Sequence, residues 1–285
     1  MLLGPGALET GMPELPEVET TRRGLLKSLK GRRILSASLY TPRLRLPFPR
    51  DLKKILTGAV VQNIERRAKY MLWELSGGEI LVVHLGMSGR FRHVAKRNYI
   101  REKHDHMVLH LDDENILAYH DPRRFGLIDW AIDNKGKPHA WLTGMGIEPL
   151  SDDLNAPWLF SELQKRKTNM KAALLDQKMI VGLGNIYVSE ALFLAGILPT
   201  RIAHTLTLAE CKKLVPAIQK TLLAAIDAGG SSLRDYRDVD GQVGFFQDRF
   251  KVYDRSGEKC RKCKDIIHHL VQNGRSSYYC TVCQK

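Results

Sequence analysis

Four of the five cysteines in this 285-residue chain fall in its last 26 residues, as Cys260-x2-Cys263, sixteen intervening residues, and Cys280-x2-Cys283. Each pair can clamp one side of a tetrahedral ion, and thiolates at this spacing select zinc. The residues between the pairs suit a hairpin. Two redox CxxC pairs are the competing reading, and they lack the βαβ context of a thioredoxin-like site. Cysteines gathered in one module also argue for a reduced, cytosolic compartment over a disulfide-framed secreted fold. Cys211 reads as an unpaired thiol. Arg275, beside the turn glycine of "NGRSSYYC", can enter a DNA groove or face solvent.

Charge narrows the partner. Lys and Arg number 44 against 31 Asp and Glu, a formal +13. Such an excess favours a polyanion, since neutralising phosphates releases counterions. A basic surface without a dedicated partner remains open, as does an anionic membrane surface, but no apolar run approaches the roughly 20 residues a span needs. The first eleven residues lack the basic start of a secretory signal.

Along the chain, Pro16–Lys30 has the apolar spacing of a helix, with Val18, Leu25, Leu26 and Leu29 on one side. From about Ile34 to Trp130 the runs are short, β-branched or alternating, and separated by Gly, Pro, Asp and Asn. That predicts two packed sheets or a flattened barrel. "GMGIEPLSDD" (Gly144 to Asp153) reads as a linker, and helical periodicity follows through about Ala228. Gly229 to Gly244 is long, polar and glycine-flanked, and loops of this length often act as lids.

Three further groups of stretches combine residues of chemical interest. In "LLDQKMIVGLGNIYVSEALFLAGI" two helical stretches flank a glycine turn, Asn185 is placed to cap the second helix, and a helix start behind glycines can cradle phosphate. Any αα-hairpin has a similar pattern, but the basic "QKRKTNMK" just upstream favours DNA. "HLGMSGRF" and "HDPRRFG" are loop tips that put Met87 and Phe125 beside arginines. These are either loop-packing residues or wedges that unstack base pairs. His104 and His106 of "KHDH" share a strand face and suit phosphate contact or core burial better than a metal.

The opening "MPELPEVET" is the third. Glu17 and Glu19 in the first turn of a helix stabilise its dipole. That leaves Met12, Pro13 and Glu14 unexplained. If the working chain starts at Met12 and loses it, Pro13 presents a secondary amine. An α-amino group is neutral in roughly one molecule in ten at pH 7, against about four in ten thousand for lysine. A neutral amine can attack a sugar carbon and form an iminium, with Glu14 beside it as an acid.

Taken in order, "MPELPEVETTRRG", "RRAKYMLWEL", "HLGMSG", "KHDH", "DPRRFG", "GLGNIYVSE" and the four-cysteine finger closely resemble the bacterial formamidopyrimidine-DNA glycosylase family. The resemblance runs from Met12 to Lys285, and "PELPEVE" favours it over the related endonuclease VIII type, an alternative that acts mainly on oxidised pyrimidines. It implies an α+β, two-lobed fold: an N-terminal β-sandwich with flanking helices, then a helix-two-turns-helix region and a four-cysteine zinc finger. The implied boundaries are 12–145 for the catalytic sandwich, 151–228 for the helical domain, 229–244 for a lesion-capping loop and 245–285 for the finger.

The implied activity is bifunctional. An oxidised purine (8-oxoguanine or a formamidopyrimidine) is flipped out of double-stranded DNA and excised, and the strand is then cut by β,δ-elimination in base excision repair. Pro13 is implied as nucleophile, Glu14 as acid, and Lys69 and Arg275 in the elimination steps. Met87, Arg123 and Phe125 match the residues that fill the gap. His84, His104, Arg166, Lys171 and Asn185 match phosphate contacts, and Glu17, Ser231 and Ser232 match lesion recognition. Ser231 and Ser232 stand where the family often has threonine. One structural zinc on Cys260, Cys263, Cys280 and Cys283 and a cytoplasmic location follow; the sequence carries no signal for oligomerisation, and a monomer is assumed. Residues 1–11 are the departure, because a peptide bond from Met12 makes the Pro13 nitrogen a tertiary amide. We expect them to be absent from the working protein, through initiation at Met12 or through processing. If they are retained, a damage-binding protein that does not cut is the alternative.

Overall fold

The computed structural model describes residues 12–132, 136–231, 239, 241 and 244–285. It falls into two compact units, one of Gly11–Thr143 with Gly229–Phe245, the other of Gly144–Ala228 with Phe246–Lys285. The expected extension 1–11 and Ser232 lie outside the described residues.

The first unit begins with α1 (Leu15–Leu29), a residue earlier at each end than its periodicity suggests. Then come β1 (Ile34–Leu39), α2 (Leu52–Leu56), β2 (Val61–Arg67), β3 (Tyr70–Leu75) and β4 (Ile80–His84), followed by β5 (Arg90–Ala95), β6 (Asp105–Leu111), β7 (Asn115–His120) and β8 (Leu127–Trp130). They make two four-stranded sheets, ordered β1-β6-β7-β5 and β2-β3-β4-β8, with every adjacent pair antiparallel. Alternation explains the pairing: β3 buries Met71, Trp73 and Leu75 and leaves the residues between them partly exposed, so one face turns to the core.

That core draws on both sheets. Trp73 of β3 meets Phe91 of β5 with ring centroids 5.4 Å apart, and Phe91 meets Tyr119 of β7 at 5.2 Å. Val18, Leu25 and Leu29 of α1 close one side. Val239, from beyond Gly229, enters the same core, and its carbonyl accepts the His93 N–H at 3.2 Å. This contact belongs to the first unit even though the helical region separates its parts in sequence.

The second unit contains α3 (Ala156–Gln164), α4 (Met170–Leu175), α5 (Asn185–Ala195) and α6 (Leu208–Asp227). Side chains of Asn155, Asn169 and Thr207 cap α3, α4 and α6 by accepting first-turn N–H groups. α5 is mostly apolar with no distinct polar face and is buried along most of its length, which makes it the axis of the unit. The chain closes with β9 (His268–Gln272) and β10 (Arg275–Tyr279), paired through an Asn273-Gly274 turn with φ of 50° and 74°. Gln284 locks this end to α5 by accepting the Cys280 N–H at 2.8 Å and donating to the Ile197 carbonyl at 2.7 Å.

Candidate active site

Pro13 runs directly into α1, where Glu14 is the N-cap and is buried. The Glu17 carboxylate, 2 % exposed, accepts the Glu14 N–H at 3.0 Å through Oε2. Its Oε1 accepts the Ser231 N–H at 2.7 Å and the Ser231 hydroxyl at 3.2 Å. Prolines and acids crowd together here because the helix start has N–H groups to satisfy and one carboxylate serves two segments.

Glu19 works on the next turn. It pairs with Arg22 and Arg23 of its own helix, both at 2.8 Å, and with Arg66 of β2 at 3.2 Å. Burial works to raise its pKa, but these arginines outweigh it and hold the carboxyl below its ordinary value. Arg66 also donates to the Ala68 carbonyl at 3.0 Å. Ala68 and Lys69 form the two-residue turn between β2 and β3, and Ala68 has φ of 56°. The glutamate–arginine pair therefore braces the turn that carries Lys69.

His84 ends β4 next to this turn. Its Nδ1 accepts the Gly86 N–H at 3.0 Å, which leaves the proton on Nε2. Desolvation, with the charges of Lys69 and Arg45 adding to it, pushes its pKa down to about 4. At neutral pH it is an uncharged donor, held between Tyr70 and Trp141 at 4.8 and 6.5 Å between ring centroids.

The two glycine-bearing loop tips interlock. Gly86 has φ of 67°, and a Cβ there would lie 2.4 Å from the Phe125 carbonyl carbon, so no other residue fits. Asp121, fully buried, accepts the Ser88 hydroxyl at 2.6 Å and the Gly126 N–H at 2.8 Å. Its own N–H reaches the His104 carbonyl at 3.0 Å, and its carbonyl accepts from His106 Nε2 at 2.9 Å. Arg124 is held at φ of 54°. Phe125 is 39 % exposed with the Arg123 guanidinium 5.0 Å from its ring centroid, whereas Met87 is 9 % exposed. Met12, His84, Met87, Arg124 and Phe125 line a cleft of about 490 Å³ that also touches Arg43 to Arg45 and Gly86.

His104 lies just before β6, its ring 6.2 Å from His106 and 5.9 Å from His120. His106 is buried, as one of the two sequence readings allowed.

In the second unit, Lys171 is 1 % exposed, and its ammonium donates to the Ser276 carbonyl and, at 2.8 Å, to the Ser277 hydroxyl. Asn185 Nδ2 donates to the same carbonyl at 3.0 Å. Both support the residue after Arg275, which is itself exposed at the hairpin tip. The expected Asn185 cap is corrected: Gly184 is the N-cap of α5, and the asparagine side chain is drawn to the hairpin instead. Arg166 pairs with Asp176 at 2.7 Å, and Asp176, Lys171, Asn273 and Arg275 line a depression of about 280 Å³.

The four finger cysteines bring their Sγ atoms within 4.8 Å of one another, Cys263 and Cys280 at 3.4 Å, Cys260 and Cys283 at 3.9 Å. A tetrahedral ion with Zn–S of about 2.3 Å needs sulfurs about 3.8 Å apart, so the set fits zinc. The zinc is structural: four thiolates leave no open position for chemistry.

Sequence reasoning passed over Asp121, Asp105 and Glu190. Glu190 of α5 accepts the N–H groups of Lys251, Val252 and Tyr253 at 2.8 to 2.9 Å, tying the approach to the finger onto the helix. The signal available was an acid inside each quoted motif, "HDPRRFG", "KHDH" and "NIYVSE".

Comparison with known proteins agrees over most of the chain. Residues 12–128 match the family described as Formamidopyrimidine-DNA glycosylase N-terminal domain, 145–237 its H2TH domain, and 257–285 the zinc finger found in FPG and IleRS. The formamidopyrimidine-DNA glycosylase of Ruegeria pomeroyi is 46% identical over 283 residues, covering 96% of this chain and 100% of the relative. Among solved structures, a Lactococcus lactis FPG mutant in complex with Fapy-dG-containing DNA is 37% identical, with a TM-score of 0.87 over 96% of this chain and 100% of that one. The Lactococcus lactis Fpg with abasic-site DNA is 36% identical, with a TM-score of 0.86 over 95% and 99%.

Proposed function

The chain belongs to the formamidopyrimidine-DNA glycosylase family, and from this and the Glu14–Glu17–Ser231 linkage we infer a DNA glycosylase of base excision repair. Its substrate is double-stranded DNA with an oxidised purine, and it cleaves the strand after excising the base. The linkage carries the reading because Glu17 joins the Pro13–Glu14 segment to the start of the lesion-capping segment. The residues that would react and the residues that would hold the extruded base share a carboxylate.

In the proposed step the Pro13 nitrogen gives its lone pair to C1′, and the glycosidic bond breaks with its electrons leaving on the base. Loss of the amine proton and opening of the sugar ring, with Glu14 donating a proton to O4′, leave an iminium between proline and sugar. The iminium acidifies the C2′ proton, and elimination follows. Lys69 is proposed for that step and for phosphate contact, Arg275 for gripping phosphate and for the second elimination. Extrusion costs a few kcal/mol, offset by Met87, Arg123 and Phe125 in the gap and by backbone contacts. His84, His104, Arg166 and Asn185 are proposed for those contacts, Glu17, Ser231 and Ser232 for the lesion. For Lys171, buried under the hairpin, we propose that it serves DNA binding by setting the strand that presents Arg275. The zinc holds that hairpin. We propose that the enzyme works as a monomer in the cytoplasm; among the described residues no helix is long and apolar enough to cross a membrane.

The chemistry requires Pro13 as a free amine, and the proposed working form starts there. The family match beginning at residue 12 supports this. The test joins intact mass and N-terminal sequencing of natively expressed protein with borohydride trapping on lesion DNA. A chain that starts at Pro13 and is trapped bears out the reading. A chain that keeps residues 1–11 and binds the lesion without trapping is a damage binder.

A further inference from the structure

Between β5 and β6 the chain carries Lys96, Arg97, Arg101 and Lys103 within eight positions, all exposed. None of the four has an ion pair among the described residues; the nearby Glu102 is taken by Arg92 at 2.9 Å. Clustered cations repel one another, so a segment like this would ordinarily splay. Here its base is pinned. Asp105, fully buried, accepts Tyr99 Oη at 3.0 Å, the Glu102 N–H at 2.9 Å, Arg92 at 2.9 Å and His120 Nδ1 at 2.9 Å. Burial works to raise the Asp105 pKa, but these partners outweigh it and bring it to about 2. Arg92 pairs with both Glu102 and Asp105 at 2.9 Å, so these carboxylates already have a cationic partner. The Arg101 guanidinium lies 4.0 Å from the Tyr40 ring centroid, which fixes that side chain too.

The held loop also shares its footing with the insertion loops. His104, the residue that follows it, accepts the Asp121 N–H through its carbonyl, and the Asp121 carboxylate anchors Ser88 and Gly126. We propose that the Lys96–Lys103 loop is a second DNA-backbone contact, gripping duplex phosphates beyond those flanking the lesion and lengthening the footprint. This rests on the glycosylase reading above. Ordinary solvated charge does not account for a loop that spends two hydrogen bonds, from Tyr99 and the Glu102 N–H, on a buried carboxylate that Arg92 of β5 and His120 of β7 also hold.

The test is equilibrium binding of the full chain, over a range of salt, to duplexes with a central tetrahydrofuran abasic-site analogue. One duplex spans about one and a half helical turns and the other about four. The variant carries Lys96→Gln, Arg97→Gln, Arg101→Gln and Lys103→Gln; the charge-matched control carries Lys27→Gln on α1, Lys30→Gln at its C-cap, and Lys53→Gln and Lys54→Gln on α2. We expect the long-duplex salt slope of the variant to fall by about 2 to 3.5, about 0.9 for each phosphate lost, with about tenfold weaker binding. Binding to the short duplex and both measurements on the control should stay within about twofold. An unchanged slope, an equal loss on the short duplex or an equal loss in the control overturns the proposal. Absence of lesion preference in the unsubstituted chain would instead sink the glycosylase reading, and the length comparison could still be made on undamaged duplexes.

Discussion

Glu17 and Ser231 stand 214 positions apart in sequence and are joined by two hydrogen bonds, from the serine N–H at 2.7 Å and its hydroxyl at 3.2 Å. Glu17→Gln tests this join. An amide has one acceptor oxygen, so it can serve Ser231 or Glu14, and the other N–H then faces an NH2 group. We expect a loss of about 1–3 kcal/mol in thermal or urea unfolding. Excision should slow more than binding of an abasic-site analogue weakens, measured by single-turnover kinetics beside affinity. A variant of unchanged stability and rate would show that the join carries neither.

His84 should stay neutral far below the usual range. Its folded pKa of about 4 lies under the ordinary 6.5, so the unfolded chain takes up the proton first. The resulting stability is fully present above pH 6.5 and is lost as pH falls toward 4. Imidazole nitrogen shifts followed by NMR should show no titration between pH 8 and 5. His84→Gln, which keeps a neutral donor, should retain most DNA affinity, and its binding should depend on pH as that of the parent does.

Asp105 behaves in the opposite chemical sense with the same direction in pH. Its folded value of about 2 lies below the ordinary 3.8, so its contribution is present above about pH 4 and disappears as pH falls through 2. That is worth about 2 kcal/mol. Asp105→Asn should lower stability at pH 7 by at least that amount, and the gap to the parent should narrow in acid. A constant gap across the range would contradict the ionised role.

Removing zinc should separate the two units functionally. Chelation under native conditions should release one zinc per chain and abolish lesion-DNA binding, because the hairpin bearing Arg275 loses its clamp. The β-sandwich unit should keep its own melting transition. Full affinity after metal loss would overturn the structural role.

Lys171→Arg discriminates a strut from a phosphate contact. A surface phosphate accepts a guanidinium as readily as an ammonium. A site with 1 % exposure, shaped around Ser276 and Ser277, does not. We expect about tenfold weaker binding together with reduced protection of β10 amides from hydrogen exchange. Tolerance of arginine would move the residue back to the DNA.

Local chemistry made α1, the finger and the loop tips carrying Met87 and Phe125 legible in the sequence. The Asn-Gly turn and the cysteine spacing act over a few residues and need no knowledge of the rest. "VVQNIERRAKYMLWEL" was harder: it runs unbroken across β2 and β3 because the turn uses Ala68, a non-glycine residue held left-handed by tertiary contacts. β5 carries little strand signal of its own because it is a sheet edge, and "RFRHVA" keeps the charges an exposed edge tolerates. At the site, Asp105, Asp121 and Glu190 gave no periodic signal. Their partners lie far along the chain, and a buried acid looks like a surface acid until those partners are known. Asn185 shows the converse: a residue with strong capping propensity was claimed by a hairpin 91 positions away.

If these loops probe the base stack as proposed, the double hold of Asp121 on Ser88 and Gly126, with Gly86 pressed against the Phe125 backbone, bears on the search along undamaged DNA. A probe that had to become ordered at each base pair would lose that entropy at every step, adding to the cost of unstacking. Here the loop ordering is completed when the protein folds, so sound and damaged pairs meet the same ready-made instrument. Any difference in how far a pair yields then reports on the DNA alone.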